Sequence, residues 1–153
     1  MTTISDIFRD AFDRVHDDLA RLLEGLDAET VLWRPDADAN SIGWLAWHLT
    51  RVQDDHLAGV GEIPQVWTHD HFADRFALPY PVEAHGYGQT SAEVGAFSVG
   101  DTALLLAYHD AVHRMSMAVI DSLDDAITHA RTHVVQRPVT QAAGRRPETP
   151  HRH

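Results

Sequence analysis

Twelve histidines and no cysteine leave imidazoles and carboxylates as the strong ligands and proton carriers of this chain. Thiolate metal sites, disulfides and a cysteine nucleophile are excluded together. The most informative imidazole is His48, set in Ser41-Ile42-Gly43-Trp44-Leu45-Ala46-Trp47-His48-Leu49-Thr50. A histidine among tryptophans on a helix must satisfy its ring nitrogens once buried, by a hydrogen bond or by a metal ion. Trp44, His48, Val52 and Asp55 follow in steps of four, four and three. That spacing puts His48 and Asp55 within about 20° of one face and roughly 10 Å apart along the axis. The separation is too long for both to grip one ion easily, and leaves Asp55 the role of receiving a proton from a polar neighbour. His109 and His113 are a second candidate, an i, i+4 pair that lets two imidazoles converge on one ion. Each has a plainer alternative: His48 as a core-edge ring bonded to a backbone carbonyl, the pair as a chance spacing in a histidine-rich chain. His56 reads as partly buried, and His69, His71, His129, His133, His151 and His153 read as solvated.

Three long helices must position these rings. From Ile4 to Leu26 the residues Phe8, Phe12, Val15, Leu19, Leu22 and Leu26 recur at helical intervals, with Gly25 near the stop. A short helical turn over Asp27–Leu32 and a polar loop lead to Asn40 or Ser41 as the cap of a second helix, Ile42–Val60, expected to bury Ile42, Leu45, Leu49 and Val52. Residues 61–100 are broken by prolines and glycines and predict a crossover with short helices near Val66–Phe76 and Ala92–Phe97. Asp101 or Thr102 caps a third helix through Leu123, with Leu105, Tyr108, Val112, Met115 and Val119 on its stripe. No segment alternates over strand length, so the class is all-α, a bundle. The expected division is a helical domain over 1–125 and a poorly ordered tail over 126–153. From Thr128 onward five arginines and three prolines stand against one acid.

The net charge of −11 opposes nucleic-acid phosphates and anionic membranes, and the absence of lysine excludes Schiff-base chemistry. No apolar run approaches a membrane span, and the first residues lack the order of a secretory signal, so a cytoplasmic protein is expected. There is no glycine-rich phosphate loop, nucleophile elbow or His-Glu-x-x-His run.

The stretch Ser41–His56, with Val66–Phe76 and Tyr108-His109-Asp110-Ala111-Val112-His113, resembles the DinB superfamily. More narrowly, it is similar to the actinobacterial branch grouped with mycothiol-dependent maleylpyruvate isomerase. The resemblance runs from about Ile4 to Leu123. It implies an up-down four-helix bundle with a long crossover between the second and third helices, and a divalent metal, zinc or nickel, held by three residues. His48 occupies the position of the first ligand. The other two come in the family from the last helix, an acid or histidine followed four residues later by a histidine and then Gly-Gln. No such element follows Leu123: His129 and His133 have the spacing, but Val134-Val135 follows and Pro138 comes soon after. The fourth helix is thus atypical or missing.

A complete site would activate mycothiol or another low-molecular-weight thiol toward a small electrophile, as a transferase or isomerase. Asp55 would act at most behind His48. With the last-helix ligands lost, the activity would be impaired. The rival expectation is a metal-free scaffold that self-associates as a homodimer through the apolar strip a missing helix exposes. A third is a rearranged metal site combining His48 with His109 and His113.

Overall fold

Why the chain folds as it does is clearest at the helix starts. A computed structural model describes residues 1–135, which form α1 (Ile4–Leu23), α2 (Ala28–Leu32), α3 (Ile42–Gly61), α4 (Val66–His69), α5 (Phe72–Phe76), α6 (Ser91–Gly95) and α7 (Ala103–Val135). Thr3 and Asp6 form a reciprocal capping box on α1, and Thr90 and Glu93 do the same on α6. Asp27 caps α2, and Ser41, of the two residues expected, caps α3 by accepting from the Trp44 N–H. α3 ends where Glu62 turns left-handed at φ 53° and its N–H returns to the Ala58 and Gly59 carbonyls.

The three long helices pack with α7 in the middle. α1 and α3 each lie along α7 and barely touch one another, while the crossover helix α4 closes over α3 and α7. Pairings such as His16 with Asp110 and Ser5 with Asp124 run α1 antiparallel to α7. Thr50 with His109 and Gln53 with Ser116 run α3 parallel to it. The described residues are all helix, turn and loop, as the pattern predicts. None of their helices is long and apolar enough to cross a membrane.

Two differences from the sequence reading are instructive. α7 runs on to Val135 rather than stopping at Leu123, because no glycine or proline intervenes before Pro138. Beyond Leu123, Asp124 accepts from Ser5 and Arg9 on α1. Residues 126–135 therefore continue α7, and residues 136–153, where any fourth long helix would lie, fall outside the described residues.

The second difference is the face that α3 buries. Ile42, Leu45 and Leu49 are 41%, 48% and 39% exposed, whereas Trp44, Trp47, Thr50, Arg51, Gln53 and Asp54 are buried. α3 packs against α2, the crossover and α7, and these contacts fall on the side that carries Gly43, Trp47, Thr50 and Asp54. Thr50, Arg51, Gln53 and Asp54 survive there because each is bonded, whereas the Trp47 indole N–H is buried without a partner among the described residues. Asp54 is fully buried and accepts from the Val66 and Trp67 N–H groups and from the Tyr108 hydroxyl, each at 2.8 Å. It thereby caps α4, whose own Gln65 supplies no side-chain cap. Arg51 lies 3.8 Å from Asp54, stacks over Trp67, and donates to the Ala84 carbonyl and to Gln65. Around this pair Trp47, Trp67, Phe72, Phe76, Tyr80, Phe97 and Tyr108 make a connected aromatic core.

Removing the Asp54 carboxylate leaves Arg51 as a buried charge without its acid and strips two N–H groups of their acceptor. Asp54→Ala should cost about 3–5 kcal/mol, against about 1 kcal/mol for Tyr108→Phe. Urea unfolding followed by tryptophan fluorescence measures both, and equal small losses would contradict this account of the core.

Candidate functional site

His48 sits where α3 meets the crossover loop. Its ring stacks on Trp44 one turn earlier, with centroids 4.7 Å apart and planes 20° from parallel. Its Nδ1 bonds to the carbonyl oxygen of His85. A carbonyl only accepts, so Nδ1 carries a proton, and in the neutral ring Nε2 then keeps its lone pair. The loop approaches this closely because residue 86 is glycine. Its φ is +96°, and a Cβ there would lie 2.8 Å from both His48 Nδ1 and a Trp44 ring carbon. The Trp44 indole N–H donates to Gln89 at 2.8 Å, fixing the far side of the loop. Beside it opens a hollow of about 490 Å³ whose lining includes Tyr80, His85, Tyr87, Gln89 and Glu93. A larger hollow of about 640 Å³, at the α1 C-terminus and α7 N-terminus, has no histidine in its lining.

Asp55 does not touch His48. It accepts from Gln65, whose carbonyl oxygen takes a hydrogen bond from Arg51. Arg51 in turn holds the Ala84 carbonyl, next to His85. The carboxylate thus reaches the His48 loop only through this chain of bonds.

His109 and His113 are brought together, but with His16 of α1 rather than with His48. His109 bonds through Nδ1 to the Thr50 hydroxyl at 3.0 Å. Thr50 lies about 200° around α3 from His48, so the pair and His48 face different sides of that helix. The His16 ring stacks on His113 at 4.6 Å and lies 5.7 Å from His109. Its Nε2 meets Asp110 at 2.6 Å, and His113 Nε2 meets Asp13 at 2.9 Å. His109 Nε2 and His113 Nδ1 are buried without a hydrogen bond to the described protein. Among the described residues, no group of three or more histidine, aspartate or glutamate side chains is arranged to hold one metal ion.

The cluster separates the charge states of its rings. Burial, with like-charge contributions from His16 and His113, pulls His109 down to about 4. For His16 burial also acts downward, but the hydrogen bonds to Asp110 and Asp17 outweigh it and leave the ring above its ordinary value. His16 escaped the sequence reading, although its spacing with Phe12, Leu19 and Leu23 placed it on the side of α1 that packs on α7. His85 and Gly86 gave no signal, because a loop glycine acquires meaning only when the helix it touches is known.

Residues 11–147 match the DinB superfamily. The match runs past Leu123, the limit read from the motifs, and into residues outside the described part. Among solved structures, a conserved protein from Enterococcus faecalis superposes with a TM-score of 0.73 at 22% identity, covering 79% of this chain and 71% of its own. At that identity the likeness is one of fold. No curated protein matches.

Two outcomes follow from the geometry. A histidine whose folded value lies below its unfolded one loses stability as pH falls from about 6.5 toward 4, at up to ~1.4 kcal/mol per unit. His16, shifted the other way, contributes stability that is present below about 6.5 and is lost as pH rises through its folded value. Denaturant unfolding of His109→Leu between pH 6.5 and 4.5 should therefore show a shallower decline than the parent chain, by about 1 kcal/mol per unit. Parallel slopes would contradict the assignment. Separately, Gly86→Ala should displace the loop and release His48, seen by nitrogen NMR as loss of the single Nδ1–H tautomer. An unchanged tautomer would mean that the loop does not orient the ring.

Proposed function

The chain belongs to the DinB superfamily, and from that premise we propose that it is a divalent-metal-binding protein in which His48 is a ligand through Nε2. The observation that carries this reading is the bond from His48 Nδ1 to the His85 carbonyl. Metal-binding histidines characteristically give their second ring N–H to such an acceptor, which fixes the tautomer and aims the lone pair. Zinc and nickel suit an imidazole ligand in a chain without thiolates.

The reaction class that the Ser41–His56 resemblance suggests is transfer or isomerisation of a small electrophile by a low-molecular-weight thiol such as mycothiol. A divalent ion would supply the deprotonation of a bound thiol or water near neutral pH. The protein's own contribution is positioning. Trp44 restrains the His48 ring from one side, Gly86 admits the loop, and the Arg51–Gln65–Asp55 chain steadies the backbone at Ala84. The hollow lined by Tyr80, His85, Tyr87 and Gln89 lies on the crossover loop that holds this ring, although His48 is not itself in its lining, and offers a small substrate polar edges and aromatic walls.

One observation favours a second reading, a scaffold that retains the fold without its metal. The described residues offer His48 no partners in a three-donor group, and the family's last-helix ligand pattern has no counterpart in the sequence. In that reading His48 is a structural ring that ties α3 to the crossover.

Elemental analysis of the purified, untagged chain beside His48→Ala decides between them. Near-stoichiometric metal that is lost in the variant supports the metal reading, and thiol consumption with a small electrophile then tests the reaction class. No metal in either chain, with both folded by circular dichroism, overturns it in favour of the scaffold.

A further inference from the structure

α1 and α7 carry the same short motif, an aspartate followed three residues later by a histidine: Asp13 and His16 on α1, Asp110 and His113 on α7. Because the two helices run antiparallel, each histidine meets the aspartate of the other helix. His16 Nε2 lies 2.6 Å from Asp110, and His113 Nε2 lies 2.9 Å from Asp13. The two rings stack on one another, 4.6 Å apart and 24° from parallel. His109, wholly buried one turn before His113, closes the cluster at 5.7 Å from His16. The next charged contacts between the helices are those of Arg9 with Asp121 and Asp124. α3 meets this stretch of α7 with Thr50 and Gln53, which carry no charge.

We propose that the crossed pairs are a proton-operated clasp between α1 and α7, closed when the cluster holds one proton beyond its neutral rings and opened by a second. The place for the first is His16. Its Nδ1 faces Asp17 at 3.3 Å and its Nε2 faces Asp110, so both N–H groups of a charged ring have a carboxylate acceptor. The other two rings lack such a place. The Thr50 hydroxyl gives its proton to the Ala46 carbonyl and accepts from His109 Nδ1, which leaves His109 Nε2 as a buried lone pair. His113 gives its Nε2 proton to Asp13, and its Nδ1 is buried in the same way. A second proton on either ring therefore makes a buried N–H with no acceptor among the described residues, beside a charged His16 that is 4.6 or 5.7 Å away. The low value of His109, about 4, agrees with this: burial first, then the charges of His16 and His113, oppose its protonation. Both costs are relieved when α1 moves off, because water reaches the rings and the charges separate. α3 is held to α7 independently, through Asp54 to Tyr108 and Gln53 to Ser116, so acid loosens α1 first.

Hydrogen exchange of the full chain, read by mass spectrometry and corrected for intrinsic rates, follows the two helices separately. From about pH 7 to about pH 5, peptides of α1 should lose about tenfold or more of their protection while peptides of α3 lose less than about threefold. Replacing both buried rings, His109→Gln with His113→Gln, keeps the donors to Thr50 and Asp13 but removes the sites for a second proton, and should leave α1 protected at the lower pH. Nitrogen NMR of the parent chain should show His16 as the first of the three rings to charge. Equal loss of protection in α1 and α3 would mean acid unfolding of the whole bundle and would overturn the proposal. A double variant whose α1 opens as the parent's does, or a first proton on His109 or His113, would do the same. Should the double variant not fold, the comparison of α1 with α3 in the parent and the order of ring charging still decide.

Discussion

The buried carboxylate of Asp54 is the constraint on which the rest of the molecule hangs. It accepts two backbone N–H groups from the start of α4, the hydroxyl of Tyr108 on α7, and the field of Arg51 one turn back on its own helix. Three separate stretches of chain thus meet at two oxygen atoms. Burial and the facing carboxylate push the Tyr108 hydroxyl well above the ordinary range for tyrosine, so it stays protonated and remains a donor. An anion in an aromatic core is costly by itself. Here the cost is offset because the carboxylate accepts three hydrogen bonds shared over both oxygens, and because Arg51 brings a charge that is itself bonded to Gln65 and Ala84.

From that anchor the candidate site follows geometrically. Arg51 fixes the Ala84 carbonyl, and the next residue's carbonyl receives His48. The element that orients the imidazole is therefore a loop held by the core rather than another side chain, and Gly86 is what lets it come within bonding distance. The arrangement leaves one ring nitrogen committed and the other available. Asp55, which the helical spacing associated with His48, contributes from two turns away by holding Gln65. Proximity on a helical face and contact in space are different properties, and this residue has the first without the second.

How much was legible in the sequence depended on whether the relevant physics was local. The cap of α3 at Ser41, one of the two residues expected, the short helix after Asp27, the crossover and the all-helical class all depend on residues within a turn of one another, and they are found where the pattern puts them. The buried face of α3 was not legible, because Ile42, Leu45 and Leu49 form the more apolar strip and yet remain at the surface. Hydrophobicity identifies faces that prefer burial, and which of two faces is buried depends on where the neighbouring elements lie. Arg51 and Asp54 gave no signal in the sequence, because their partners are Tyr108 and the α4 backbone, distant along the chain. His109 and His113 were recognised as a pair, but His16, ninety-odd positions away, decides their surroundings.

The two histidine sites differ in what their neighbours permit. At the cluster on α1 and α7, Asp110 and Asp17 favour charge on His16, while burial denies it to His109. These rings lie nearly parallel, an arrangement that places faces rather than lone pairs toward one another, so it tunes charge without building a coordination sphere. His48 has the opposite character. It stands apart from the other histidine side chains, half-buried, with a fixed tautomer and an unengaged nitrogen, which is the local condition for a ligand. Its ring is held on the crossover side of α3, stacked on buried Trp44 and bonded to His85, while Ile42, Leu45 and Leu49 are exposed on another side of the same helix, so the loop rather than whatever meets that strip governs the surroundings of the ring.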